Sequence, residues 1–516
     1  MSAKSLLRST ALVGQMTLIS RVLGLVRDSA IATMFGASAA SDAFFVAFKI
    51  PNLFRRLFAE GAFSQAFVPV LAGHRTASTQ AEVKQLVDAV FSALGLVLLA
   101  ITAVGVLAAP VIITVFAPGF VGDETRFDLS VALLRLTFPY LLFIALTALV
   151  SGVLNTYGKF ALPALTPALL NISFISCTLW LAPHLSQPVY ALAAAVLIGG
   201  ALQLGFQLVG AWRIGMLPRP TRRLRHPGVK RILTLMGPAL FGVSVAQINF
   251  LIDTFIASFL ERGSISWLYY ADRLMEFPLG IFGIALGTVI LPHLSEHFAR
   301  AQHASFSDTL DWALRAVLTL TLPSAVGLAV LAGPILSTLF EYGEFTARDV
   351  TLSAHALMAY ASGLTGFIMV KVLAPGYYAR QDTRTPVKIG VIAMLTNVVL
   401  CAVLALPLAH AGLALATSCA AFVNAGLLLR GLLRADVYRP GPGWWVFTAR
   451  IVGACVVMAA FLWWASDAQA LWSARSTLQR ALTLAGLVGG GAAIYAGALW
   501  LAGLRPSHLA QPRPPL

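Results

Sequence analysis

Residues 11–73 constrain this chain most, because they are apolar enough to cross a bilayer twice and yet carry eight charged side chains. Arg21, Arg27 and Asp28 lie in the first run. Asp42, Lys49, Arg55, Arg56 and Glu60 lie in the second, after a break at Gly36-Ala37-Ser38. On the most lenient scale a charge at the bilayer centre costs about 2.5–3.5 kcal/mol. Such helices cannot turn these groups to lipid, so the groups face protein or line a wet cavity. At about 100° per residue, Lys49 lies about 20° and Arg56 about 40° from Asp42, and Glu60 returns to the same line. Four ionisable groups therefore share one stripe. Arg55 lies off it, but Pro51 permits a kink that re-aims the residues beyond it. On the first helix Arg21 and Asp28 share a face, with Arg27 about 120° from Arg21. Gly24 between them permits a bend. Ion pairs that hold helices together are one account of these charges. An anion site is the other, and the five basic groups outnumber the three acidic ones.

The rest of the chain fits a membrane setting. Only 11% of its 516 residues are charged and 58% are hydrophobic, against about 25% charged in a soluble protein; the mean hydropathy is +0.82. The net charge of +15 sits in short loops or within the apolar runs, so it does not indicate nucleic-acid binding. Cys177, Cys401, Cys419 and Cys455 fall in apolar runs without CxxC spacing and read as small core residues. Lys4 and Arg8 before an apolar run resemble a signal peptide, but Arg21, Arg27 and Asp28 break that run, so a retained first span is expected.

Fourteen segments of about 20 or more residues are expected to span. Arg and Lys gather in the even-numbered connections, above all Arg213, Arg219, Arg222, Arg223, Arg225, Lys230 and Arg231. The odd-numbered ones are poor in them or acidic, as in Glu341-Tyr342-Gly343-Glu344. The positive-inside rule then places both termini in the cytoplasm. Arg475 and Arg480 are the exception.

The chain also repeats itself. LAAPVIITVF at 107–116 matches LAGPILSTLF at 331–340. At a spacing of 223, Gly14 pairs with Gly237, Ser41 with Ser264, Pro69 with Pro292 and Pro163 with Pro386. Six spans per repeat give both halves the same topology, related by an axis along the membrane normal. The expected architecture is all-α and polytopic: a six-helix lobe over 1–212, a basic cytoplasmic linker over 213–228, a second six-helix lobe over 229–432, and two further helices over 443–503. The halves differ in charge. The counterparts of Arg21, Arg27 and Glu60 are Ser244, Phe250 and Gly283. The second half contributes Asp253, Asp272, Arg273, Glu276 and Lys371, and Arg273 can pair with Glu276 three residues on.

No GxxxxGK[ST], HExxH or GxSxG occurs, and the histidines have no ligand spacing. The chain reads as a transporter without a hydrolase site of its own. Arg clusters in a wet cavity suit an anion, because the guanidinium fork matches phosphate. A diphosphate-bearing lipid suits two whole bundles that open sideways better than inorganic phosphate does.

Long blocks then carry a resemblance. SRVLGLVRDSAIATMFGASAASDAFFVAFKIPNLFRRLFAEGAFSQAFVPVLA, SWLYYADRLMEFPLGIFGIALGTVILPHLS (266–295) and APGYYARQDTRTPVKI (374–389) closely resemble the MurJ (MviN) family of bacterial lipid II flippases. That family lies in the multidrug/oligosaccharidyl-lipid/polysaccharide exporter superfamily. The resemblance implies translocation of the undecaprenyl-diphosphate-linked disaccharide pentapeptide across the inner membrane, for peptidoglycan synthesis, by alternating access. It implies functional charges at Arg21, Arg27, Asp42, Arg55 and Arg273. Lys49, Arg56, Glu60 and Asp28 join them as candidates from the residue pattern. It further implies a lateral portal between the halves and a groove for the lipid tail formed by the last two spans. Membrane lipids and cell-wall synthesis proteins are candidate partners. A sodium ion is the one candidate cofactor, at Asp253, with Asp382, Thr396 and Asn397 as guesses for further ligands. Two other readings stay open. A cation-coupled multidrug exporter on the same fold should present acidic and aromatic groups instead. A scaffold subunit for cell-wall synthases should tolerate replacement of Arg21.

Overall fold

The computed structural model describes residues 3–56, 63–222, 226–466 and 469–504, and the described residues form helices joined by turns, without strands. Two compact units divide between Ile265 and Ser266.

The first unit opens with α1 (Ala3–Phe35) and α2 (Ala39–Arg55). Gly36, at φ 57°, ends α1 in a conformation that costs a residue with a Cβ. Ser38 then starts α2 with a reciprocal cap: its hydroxyl accepts from the Ser41 N–H while Ser41 Oγ accepts from the Ser38 N–H. That cap sets Asp42 in the first turn, where the helix dipole favours a carboxylate. Next come α3 (Phe63–Ala77), α4 (Gln80–Leu107), α5 (Ala109–Phe116), α6 (Glu124–Thr137), α7 (Tyr140–Thr156), α8 (Ala161–Ser176) and α9 (Tyr190–Arg213). Breaks fall beside prolines, at Ala108 before Pro110 and at Phe138-Pro139. α1 packs on α8, α2 on α6 and α7, and α9 on α7 and α8.

The unit closes with α10 (Pro227–Ala257). By the sequence repeat this helix is the counterpart of α1, yet it packs on α3, α4 and α5. Ile232 and Met236 join the core formed by Phe67, Val70, Leu86 and Val153. A repeat reflects likeness of sequence, whereas a compact unit reflects which apolar faces are buried together, so the two divisions fall at different places. The linker is strapped to α4: the Arg219 N–H donates to Asp88 Oδ1 (2.7 Å) and the Thr221 N–H to Ser92 Oγ (2.8 Å).

The second unit holds α11 (Ser264–Ala299), α12 (His303–Val330), α13 (Ala332–Phe340), α14 (Ala347–Tyr378), α15 (Arg384–Arg434), α16 (Trp444–Ala465), the short α17 (Gln469–Ser473) and α18 (Thr477–Leu501). α14 is the central helix, packed on α12, α13 and α15. α15 turns at Ala409 (φ 48°, ψ −130°), so it covers two of the expected spans. Within the described residues every expected span is helical. Nine helices there are long and apolar enough to cross a membrane.

The last two long helices dock on α12 and α13 through a polar anchor at each end. At one end Asp311 accepts from Arg315 Nε (2.7 Å), Trp444 Nε1 (2.6 Å), Tyr438 Oη (2.9 Å) and the Gly441 N–H (3.0 Å). At the other, Arg480 is buried and donates to the carbonyls of Ser337 (3.0 Å) and Ser473 (2.6 Å), 3.7 Å from the Glu341 carboxylate. Trp472, fully buried, donates to Thr338 Oγ1. Arg480 thus departs from the loop-charge rule because it is a packing residue. Its charge is spent on carbonyls of α13 and the α17 segment.

Candidate functional site

The charged residues of α1 and α2 reach different fates. Arg27 and Asp28 are both buried, at 8% and 0% exposure. Arg27 donates through Nε (2.8 Å) and Nη2 (2.6 Å) to Asp28 Oδ1, and through Nη1 to Asn171 Oδ1 (3.0 Å) on α8. Its guanidinium carbon lies 5.5 Å from the centre of the Phe174 ring. Asn171 in turn donates to the Ser20 carbonyl (2.9 Å). This cluster ties α1 to α8, so the ion-pair account of the intramembrane charges holds for Arg27 and Asp28. The helical wheel groups Asp28 with Arg21. The long guanidinium of Arg27 instead folds back on its neighbour, because Asn171 and Phe174 hold its far side.

Arg21 lies two turns earlier on α1 and is half-buried. Among the described residues it makes no hydrogen bond or ion pair. It is a cation within an apolar helix, and among the described residues none of its five donors is engaged.

On α2, Asp42 is fully buried and accepts from the Gly263 N–H (2.7 Å) in the turn between α10 and α11. Seven residues on, Lys49 donates to Thr254 Oγ1 on α10 (2.9 Å). Arg55 Nε donates to Asn52 Oδ1 (2.7 Å) one turn back, and Arg56 ends the helix; both are half-buried. The oxygens that receive Lys49 and Arg55 here are neutral. These bonds aim the two side chains, and each holds a further interaction besides. Glu60 lies outside the described residues. The stripe predicted from Asp42 through Lys49 is thus met by Thr254 of α10 and by Gly263 in the turn that follows it.

In the second unit Arg273 and Glu276, three residues apart on α11, form an ion pair at 3.0 Å. Both side chains are more than a third exposed, so the pair is weak and opens cheaply.

Of the donors named for a sodium ion, Asp382 lies apart from Thr396 and Asn397. Asp382 caps the start of α15, accepting from the N–H groups of Arg384 (3.1 Å) and Thr385 (3.0 Å). The Thr385 bonds hold its carboxyl below the usual carboxylate range. Thr396 and Asn397 lie about 20 Å further along the same helix at 1.5 Å per residue. Thr396 there bonds the Ile392 carbonyl, and Asn397 accepts from the Cys401 thiol. Among the described residues no three His, Cys, Asp or Glu side chains group around a metal position. Asp253 is half-buried beside Thr254 and already holds an interaction of its own. No step is assigned to sodium.

Sequence reasoning missed Asn171, Phe174 and Thr254. Asn171 carried a legible signal, an amide in the middle of an apolar run. The others depend on which helix lies opposite.

A basic surface inside an all-helical membrane unit can hold an anion and release it when helices move. The family model described as lipid II flippase MurJ matches residues 31–483. A protein of Vibrio cholerae serotype O1 named probable lipid II flippase MurJ is 49% identical over 514 residues, covering 98% of each chain. The lipid II flippase MurJ of Burkholderia cenocepacia is 46% identical over 509 residues, covering 98% of this chain and 99% of the relative. Among solved structures, a lipid II flippase MurJ in an inward closed conformation superposes with a TM-score of 0.78 at 29% identity, covering 95% of this chain and 100% of that one. An inward-facing multidrug resistance MATE transporter superposes with a TM-score of 0.67 at 14% identity, covering 83% and 98%. The last of these is a likeness of fold alone.

Proposed function

The chain belongs to the lipid II flippase MurJ family, and we propose that it carries lipid II from the cytoplasmic to the periplasmic face of the inner membrane for peptidoglycan synthesis. It is a transporter, not an enzyme. The observation in the molecule that carries this reading is Arg21, an intramembrane guanidinium with no partner among the described residues. Such a group is tolerated only where it faces protein or water, and it recruits an anion of matching geometry. The diphosphate of the lipid supplies that anion. In this reading Arg21, Arg27, Arg55 and Arg273 hold the diphosphate in turn, and the bond of Asp42 to Gly263 is exchanged as helices move. Arg27 engages by giving up one of its bonds to Asp28 or Asn171, and Arg273 by opening its exposed pair with Glu276. Two six-helix repeats of like topology suit alternating access, with the lipid tail left in the membrane. A cationic drug is a poor fit to the five basic and three acidic groups of the first two spans.

Depleting the chain from growing cells tests the transport reading. Lipid II is expected to accumulate on the cytoplasmic face while its synthesis continues. Undiminished appearance on the periplasmic face would refute the proposal.

The same reading sets the orientation, with fourteen crossings and both termini cytoplasmic. Reporter fusions within 213–222 should read as cytoplasmic, and fusions near Gly343 as periplasmic. The reverse pattern would overturn the orientation and the direction of transport drawn from it.

A further inference from the structure

We propose that Lys371 is a further anion contact of the second unit, beside Arg273: its ammonium receives a negatively charged group of the transported lipid. This assignment rests on the transport reading and adds a residue to it. Lys371 lies within α14, the most enclosed helix of that unit, yet its side chain is exposed. Among the described residues it makes no hydrogen bond or ion pair. Its stem is held in place by an absence. A Cβ on Gly283 of α11 would lie 2.8 Å from Lys371 Cδ and 3.4 Å from Cε. One turn further, a Cβ on Gly287 would approach the Lys371 carbonyl at 3.9 Å. Gly283 and Gly287, one turn apart on α11, both face Lys371, and the lysine stem crosses the bare surface at Gly283.

Position gives this arrangement its meaning. Gly283 lies seven residues beyond Glu276, about 20° from it around α11 and about 10 Å along the axis. The ammonium therefore continues the charged face begun by Arg273 and Glu276. In the sequence repeat, Gly283 is the counterpart of Glu60. Where the first repeat has an acid, the second has a gap that a lysine from another helix crosses. The two repeats thus carry opposite charge at matching points, and the second offers a cation with no carboxylate paired to it among the described residues. A lysine that merely snorkels to the membrane surface needs no such gap, since its stem would run along its own helix.

Lipid II carries two kinds of anion, the diphosphate and the peptide carboxylates, and an ammonium accepts either. The test uses full-length protein in lipid nanodiscs with three probes. These are lipid II, undecaprenyl diphosphate, and lipid II with amidated peptide carboxylates. Lys371→Gln is expected to weaken lipid II binding about tenfold, the loss for one hydrogen bond to a charged group, while Lys371→Arg stays within about twofold. An equal loss with undecaprenyl diphosphate assigns the contact to the diphosphate. A loss confined to the probe with free carboxylates assigns it to the peptide. Gly283→Val should displace the stem and reproduce the loss, with no further loss in the double variant. Binding of all three probes by Lys371→Gln at the level of the unaltered chain would overturn the assignment and leave the transport reading intact. Failure of the unaltered chain to bind lipid II would overturn both.

Discussion

Arg21→Ala is expected to reduce lipid II translocation by about 100-fold or more at equal protein level in the membrane, with little change in thermal stability. Each hydrogen bond to a charged group contributes about 1.5–3 kcal/mol, and a guanidinium offers a phosphate two in parallel. Losing both from the step that carries the diphosphate accounts for the size of the effect. The stability expectation has a separate cause. Arg21 has no partner among the described residues, so its removal orphans no group within them. Arg21→Lys keeps the charge and loses the fork; it should fall between wild type and alanine. Translocation is read in proteoliposomes beside melting of the same preparations. Full transport by both Arg21→Ala and Arg27→Ala would remove the basis for a diphosphate site on α1 and favour a scaffold role.

For the Arg27–Asp28 pair the expectation is the opposite pattern. Asp28→Asn should destabilise the protein by about 3–5 kcal/mol, because it strands a buried guanidinium. Arg27→Met combined with Asp28→Leu removes both charges and should recover most of that loss, since an apolar pair often replaces a buried ion pair at little cost. The Asn171 amide oxygen would still lack its donor, a residual cost of about 1 kcal/mol. Transport separates the two roles of Arg27. If the double variant is stable but at least about tenfold slower, the guanidinium serves the substrate as well as the fold. If it is stable and fully active, Arg27 leaves the diphosphate site and remains a tie between α1 and α8.

The two arginines show where reading a sequence stops. Both are legible for one reason, that a charge in an apolar run must be compensated. This requirement picks out the groups but not their compensation. Arg27 meets an amide and a ring from α8, with Asn171 lying 144 residues away along the chain, and nothing local to residue 27 announces them. Arg21 meets no hydrogen-bond or ion-pair partner among the described residues. The helical wheel places Asp28 with Arg21 because it treats side chains as short spokes. A guanidinium on three methylenes reaches its neighbour as readily as a residue one turn away. Arg480 teaches the same point in reverse. By the loop-charge rule it is an exception; the carbonyls of Ser337 and Ser473 make it a buried anchor.

What the sequence determined by itself is what local chemistry dictates. An apolar run of sufficient length must be a helix in a membrane, since the backbone there can satisfy itself in no other open form. Proline, glycine and a Ser38–Ser41 cap mark where helices bend and begin. A family's long blocks identify the family and its fold. Tertiary structure alone decided which charges are neutralised and which remain open, where α10 packs, and that Lys371 crosses α11 at Gly283. Each of these depends on the residue that lies opposite across a helix interface. In an apolar environment a partner within about 3 Å decides whether a charge is spent or available. That distance is set by packing between segments far apart in the chain, which no local pattern encodes.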